Sequence, residues 1–379
     1  MLATTGWTAV HRPEAGAAPR AAALAAWAAA RIDGRPLPSA DAPVRTVARF
    51  FAGLDGVQRA RLADGYPLVV GNLDGTPATT RYRANRRALE QAGRIEKARG
   101  RDVTLTPADR ATADRRAHRF ASLLEPGRQI LAFDPTGGGL AAEVFGDLDR
   151  ARRVSVVVPG VDTDLLTFER TQRRLTAPVG MARSLYEAQR AAAPDSRTAV
   201  IAWAGYTAPI GLGIDAATGR LAVEGAVRLE SLAAALPGDA SVALFCHSYG
   251  SVVCGVAAHA LPDRVTDLVV AGSPGMRAEN TADLDTSARV WAARDAGDWI
   301  ADVPHLEVGG VGHGADPVSP DFGARLLSSA GAKSHTGYFQ PGTASLDNFA
   351  KIGTGAFGSI VCATGDDACR REISGTDGD

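Results

Sequence analysis

Ser248 stands in the stretch Cys246-His247-Ser248-Tyr249-Gly250. Val242 to Phe245 before it read as a buried strand, and the small residues from Ser251 to Ala260 after it read as a helix. A sharp strand-to-helix turn lifts a serine hydroxyl above the sheet edge and makes it a candidate nucleophile. Such a turn strains the serine backbone and needs small residues two positions to either side. Gly250 meets that need. Cys246 replaces the usual first glycine; it is read as a small substitute on the buried side, not as a second nucleophile. The N–H of Tyr249, at the helix start, is a candidate oxyanion donor helped by the helix dipole.

A serine needs a base, and the base needs an orienting acid, in the chain order Ser, Asp or Glu, His. "ARVWAARDAGDWI" places Asp295 and Asp298 at the carboxyl end of a strand. Asp298 is favoured because it follows Gly297 and precedes Trp299-Ile300. Asp295 and Asp316 are the alternatives. Of seven histidines, His11 and His118 precede the sheet, His247 and His259 lie too near Ser248 to fold back, and His305 lies in a strand-like run. His313 and His335 remain, and topology does not separate them. The second oxyanion donor is expected from the loop after "VSVVVPG", from the N–H of Val161 or Asp162. Trp203, Tyr206, Trp299 and Phe339 are candidate apolar walls for a substrate pocket, against the plainer reading of core packing.

These residues need a parallel sheet to carry them. From residue 128 on, "RQILAFDP", "GLAAEVFG", "RVSVVVPG", "TAVIAWAGY", "ASVALFCHSYG", "VTDLVVAGSPG", "ARVWAARD" and "HLEVGGVGHG" read as strands. Helical stretches run between them, one from about Leu165 to Ala193 and one from about Gly225 to Leu236. Strands alternating with helices predict an α/β fold whose ligands bind at the strand carboxyl ends. Before residue 125 the chain reads as helices: 21–31, 44–52, 56–64, 80–99 and 107–124, the last opened by Thr106 and Pro107. The expected division is a helical region over 1–124, an α/β domain over 125–360 and a disordered tail over 361–379.

Bulk composition narrows the partners. The chain has 379 residues, 45% hydrophobic and 22% charged, with a net charge of −1. That suits a folded domain with a real core. It disfavours a nucleic-acid partner, which needs clustered Lys and Arg. Abundant alanine and arginine with little lysine suggest a GC-rich, actinobacterial coding bias. No apolar run reaches the roughly 20 residues of a membrane span. The block from Ala21 to Ala30 reads as a surface helix in preference to a signal peptide. A cytoplasmic location is expected, with secretion open. Cys246 and Cys254 look buried; Cys362 and Cys369 are either bonded or free. No zinc-ligand spacing is present, and no cofactor or metal is expected.

Several separate stretches resemble a mainly actinobacterial family of α/β-hydrolases, long catalogued as a domain of unknown function with a predicted Ser-Asp-His triad. They include "GNLDGTPATTRYRANRRAL" at 71–89, "FGDLDRARRVSVVVPGVDTD" at 145–164, "HSYGSVVCG" at 247–255, "DAGDWI" at 295–300, "GHGADPVSPDFGAR" at 312–325 and "SHTGYFQPGTASLDNFAKI" at 334–352. The resemblance covers roughly residues 50 to 355. It implies an α/β-hydrolase fold, Ser248 as nucleophile, Asp298 as acid and His335 as the base in preference to His313. The expectation is then a serine hydrolase acting on an ester of a small or lipid-like acyl substrate, through Ser248, His335 and Asp298, with Tyr249 and Val161 as oxyanion donors. An amidase or thioesterase of the same fold, or a catalytically silent binding protein, is the alternative. Pocket cover would come from the N-terminal helices, the 205–225 loop or the 309–345 loop.

Overall fold

The computed structural model describes residues 17–363, 367–371 and 373. His11 lies outside them, and the block from Ala21 to Ala30 lies within.

The described residues open with α1 (Ala17–Ala29), a two-rung hairpin of β1 (Arg31–Ile32) and β2 (Arg35–Pro36), then α2 (Val44–Ala52), α3 (Gly56–Gly65), α4 (Pro67–Val70), α5 (Ala78–Arg101) and α6 (Pro107–Leu123). Local chemistry explains two of the starts. Asp55 and Gln58 form a reciprocal capping box at α3, and the Thr106 hydroxyl accepts the Asp109 N–H ahead of Pro107 at α6. Trp27, Val47, Phe51, Leu62 and Val70 form a small core of their own. By contrast, Leu89 and Phe120 of α5 and α6 share a cluster with Ile130 and Phe133 of the sheet. The boundary expected at residue 124 therefore crosses a continuous apolar core.

Eight strands form one sheet: β3 (Gln129–Asp134), β4 (Leu140–Gly146), β5 (Arg153–Val158), β6 (Thr198–Ala204), β7 (Ser241–His247), β8 (Val265–Ala271), β9 (Arg289–Ala293) and, after a hairpin, β12 (Arg325–Leu326). Their spatial order is β12-β9-β8-β7-β5-β6-β4-β3. β4 runs antiparallel to β3 and β6, and the other neighbours are parallel. Every residue of β6 is buried, as a strand covered on both faces requires. The flanking helices are α7 (Pro178–Ala192), α8 (Ile214–Ala217), α9 (Arg220–Ala235), α10 (Gly250–Ala257) and α11 (Ala344–Thr354).

Three expectations are corrected. The helix expected from Leu165 begins only at Pro178. Before it, Asp164 and Thr167 exchange backbone and side-chain hydrogen bonds that close a loop instead of a helical turn. "HLEVGGVGHG" is not a sheet strand. Gly309 and Gly310, both at positive φ, turn it into a separate hairpin of β10 (Glu307–Val308) and β11 (Val311–Gly312). Within 361–379, expected to be disordered, Cys362 forms a disulfide with Cys369 and bridges Leu327, while Arg325 binds the carbonyls of Cys369 and Arg371. Residues 364–366, 372 and 374–379 lie outside the described residues. Among the described residues no helix is long and apolar enough to cross a membrane.

Candidate active site

β7 ends at His247 and α10 begins at Gly250, so Ser248 occupies the junction. Its φ is 54°, in the left-handed region that a side chain adopts only under constraint. Its N–H donates to the Ala271 carbonyl of β8, and its own carbonyl accepts the Ser251 hydroxyl at 2.6 Å. Two glycines permit the turn. A Cβ at Gly250 would lie 2.3 Å from the Val158 carbonyl oxygen, and one at Gly160 would lie 2.7 Å from Ser248 Cβ. The end of β5 thus presses directly against the serine. Cys246 is more than a small substitute: it is disulfide-bonded to Cys254, one residue pair spanning the whole turn from strand to helix.

The Ser248 hydroxyl lies 2.8 Å from His335 Nε2. His335 Nδ1 lies 2.9 and 3.1 Å from the two Asp298 carboxylate oxygens. The Asp298 side chain is wholly buried. It also accepts the Ile300 N–H at 3.0 Å and the Tyr338 hydroxyl at 2.5 Å. Burial alone would raise its pKa; the hydrogen bonds from His335, Tyr338 and Ile300 outweigh it and hold the carboxyl below the ordinary range. Burial, and then the hydrogen bond to Asp298, push the Tyr338 phenol up. Gly272, at φ 57°, lies beneath this group; a Cβ there would approach Asp298 Oδ2 to 2.8 Å and His335 Nδ1 to 3.1 Å.

The remaining candidates are placed elsewhere. His313 Nε2 bonds the Ala216 carbonyl at 2.8 Å, and its ring packs edge-on against Tyr249. Asp316 pairs with Arg294 at 2.6 Å. Asp295 accepts the N–H groups of Gly297 and Ser334, so it grips the loop that carries His335 and not the imidazole itself. His247, one residue before Ser248, reaches His335 from another side: its Nε2 is 2.6 Å from the His335 carbonyl oxygen. Burial, then the neighbouring His335, lowers the His247 pKa to about 4. The sequence singled out neither His247 nor Gly272. A histidine bordering the elbow and a glycine ending the next strand were the only visible signals.

Of the two oxyanion candidates after β5, the Asp162 N–H is engaged by the Pro209 carbonyl. The Val161 and Tyr249 N–H groups have no hydrogen-bond partner among the described residues. Among the four candidate wall residues, Trp203 and Phe339 belong to the core. Tyr206 is buried and donates its hydroxyl to the Pro159 carbonyl, bracing the loop that carries Val161. Trp299 alone is substantially exposed, with its ring 4.7 Å from that of His335. Among the described residues, no group of three or more His, Cys, Asp or Glu is placed to hold a metal.

Residues 134–308 match the model of an alpha/beta hydrolase family. The chain is 27% identical over 382 residues to the uncharacterized protein Rv2079 of Mycobacterium tuberculosis, covering 84% of this chain and 56% of that protein. It therefore spans little more than half the length of that relative. It is 32% identical over 180 residues to the uncharacterized protein Rv0963c of the same organism, covering 45% of this chain and 67% of that one. Among solved structures, 2,6-dihydroxy-pseudo-oxynicotine hydrolase aligns over 91% of this chain and 96% of its own at 11% identity and a TM-score of 0.37. An esterase from the bacterial hormone-sensitive lipase family aligns over 56% of this chain and 80% of its own at 14% identity and a TM-score of 0.29. The eight-stranded, mostly parallel sheet and the family match together make this chain a member of the alpha/beta hydrolases.

Proposed function

We propose that the chain is a serine hydrolase that cleaves carboxylic esters through an acyl-enzyme. The observation that carries this is the continuous line Ser248 Oγ, His335 Nε2, His335 Nδ1, Asp298, with successive contacts of 2.8 and 2.9 Å at a serine held in left-handed backbone. In this reading Ser248 Oγ attacks the acyl carbonyl carbon while His335 Nε2 takes its proton. Asp298 stays ionised and holds the imidazolium through Nδ1. The N–H groups of Tyr249 and Val161 receive the carbonyl oxygen as it gains charge. Collapse of the tetrahedral species expels the alcohol, which leaves with the proton from His335. Water, deprotonated by the same imidazole, then attacks the acyl-enzyme and releases the acid and free Ser248.

A fluorophosphonate probe tests this together with turnover of a short-chain nitrophenyl ester. Wild-type protein is expected to label and turn over, Ser248→Ala to do neither, and His335→Ala to lose turnover while His313→Ala keeps it. Labelling that survives in Ser248→Ala, or normal turnover in His335→Ala, overturns the assignment.

A further inference from the structure

The parallel sheet places the two sides of Ser248 in different chemistry. His335 and Asp298 stand on the β8–β9 side. On the other side, beyond the 159–162 loop, a cleft of about 460 Å³ opens over the ends of β5, β6 and β3 and the start of β4. That volume lies within the roughly 300–1,000 Å³ of small-molecule sites. Neighbouring strands are about 4.8 Å apart, so β6 lies about 10 Å across the sheet from β7, within reach of one substrate. The cleft is coupled to the oxyanion loop: Asp162 lines it and bonds both Pro209 and Gly211, and Tyr206 lines it while its hydroxyl holds the Pro159 carbonyl.

Most of the side chains along it carry hydrogen-bonding groups, set among apolar surface from Leu140, Ala208 and Ile210. Asp134, Asp162 and Asp164 supply acceptors; Arg20 and Arg228 supply donors; Thr163 and Thr207 supply both. Arg20 pairs with Asp134, whereas Arg228 has no ion-pair partner among the described residues. An acyl chain seated here would take Arg228 from water with no partner in return, and would offer the carboxylates no donor beyond those they already hold. An anion would meet three carboxylates, and a cation would meet two guanidiniums. Neutral hydroxyls donate and accept together, so they satisfy both sets. The Gly137–Gly139 turn keeps one wall free of side chains and lets a ligand approach the backbone.

We propose that this cleft binds a hydroxyl-rich part of the substrate, a sugar or similar polyol, so that the ester cleaved at Ser248 is an acylated polyol. The proposal rests on the hydrolase reading above. Rates on methyl 6-O-acetyl-glucopyranoside and on butyl acetate, followed by acid release, test it in the wild type, Arg228→Leu and Thr207→Val. Neither substituted residue belongs to the catalytic group, and both are exposed. The wild type is expected to favour the sugar ester by about tenfold or more in kcat/KM. Both variants are expected to lose most of that preference through KM while butyl acetate turnover stays within about twofold. Equal rates on the two esters, or variants that change both alike or neither, overturn the proposal. Should neither ester be cleaved and no probe labelling occur, the hydrolase reading fails on its own. Calorimetric titration of Ser248→Ala with methyl glucopyranoside then decides the cleft: heat that Arg228→Leu abolishes supports it, and no heat overturns it.

Discussion

His247 Nε2 lies 2.6 Å from the main-chain carbonyl oxygen of His335. A carbonyl only accepts, so Nε2 carries the proton and His247 is the donor. The residue beside the candidate nucleophile thereby holds the backbone of the candidate base. Ser334, just before that base, sits at φ 63°, so the loop depends on outside contacts to keep its shape.

We expect His247 to act as a positioning residue. His247→Leu should lower kcat by roughly 10- to 100-fold, the scale at which a misplacement of about 1 Å acts, with KM little changed. His247→Gln presents an amide donor at similar reach and should recover much of the loss. Steady-state kinetics of the two variants check this. A purely structural histidine would give equal activity in both, with differences confined to melting temperature.

The buried imidazole also makes stability depend on pH. Its folded pKa of about 4 lies below the ordinary 6.5. Between those values the unfolded chain holds a proton that the fold excludes, so stability rises with pH through this window and is lost as pH falls. The full difference is on the order of 3 kcal/mol. His313, lowered by its burial, adds in the same direction. Urea unfolding at pH 7 and near pH 4.5 should show a marked drop in the wild type and a smaller one in His247→Gln.

Tyr338 supports the candidate acid, Asp298. Its hydroxyl donates to Asp298 and accepts the Asp295 N–H at 3.0 Å. Tyr338→Phe removes a donor that helps hold the Asp298 carboxyl low, and leaves the half-buried Asp295 N–H without its acceptor. A stability loss of about 1–3 kcal/mol is expected. The Asp298 carboxyl should also protonate at higher pH, moving the acid limb of the rate profile upward. A profile identical to wild type would remove Tyr338 from this role.

Close packing at Gly160 gives a sharper test of geometry. An added Cβ would lie 2.7 Å from Ser248 Cβ and 3.2 Å from the His247 carbonyl oxygen. Gly160→Ala should therefore push the 159–162 loop, with its candidate oxyanion donor, away from Ser248. Turnover is expected to fall at least tenfold, while circular dichroism stays native-like. Moving one oxyanion donor has effects of this order or larger.

Much of this site was legible because it rests on local patterns. The strand, turn and small-residue helix around Ser248 are a run of neighbouring letters, and Gly297 beside Trp299-Ile300 marked Asp298. His335 and His313 were indistinguishable by topology because both follow the acid on long loops. Resemblance favoured His335, and the geometry places that histidine, not His313, against Ser248. Long-range choices were invisible. β12, two residues long, takes the sheet edge in place of the more strand-like run near Val308, since sheet membership depends on which edge is within reach. The pairing of Cys246 with Cys254 was equally hidden. Four cysteines allow three connectivities, and spacing does not choose among them.

That pairing changes what substitution of Cys246 should do. A cysteine serving only as a small residue would tolerate glycine, with activity kept or raised. Cys246 instead ties the end of β7 to α10 across Ser248, and both cysteines are buried. Opening a loop of this length is expected to cost about 2–3 kcal/mol. The loss falls on the segment that keeps Ser248 in left-handed backbone, so probe labelling should slow as well as stability fall. Cys246→Gly and Cys254→Ala should behave alike, because either one breaks the same bond. Disulfides persist in oxidising compartments and are rare in the cytosol, which sets this bond against the cytoplasmic location expected from the sequence. Alkylation of the unfolded, unreduced protein is the direct check. No described cysteine is free, so no alkylated thiol is expected in the wild type. Modification at Cys246 and Cys254 there would return Cys246 to the role of a simple small residue.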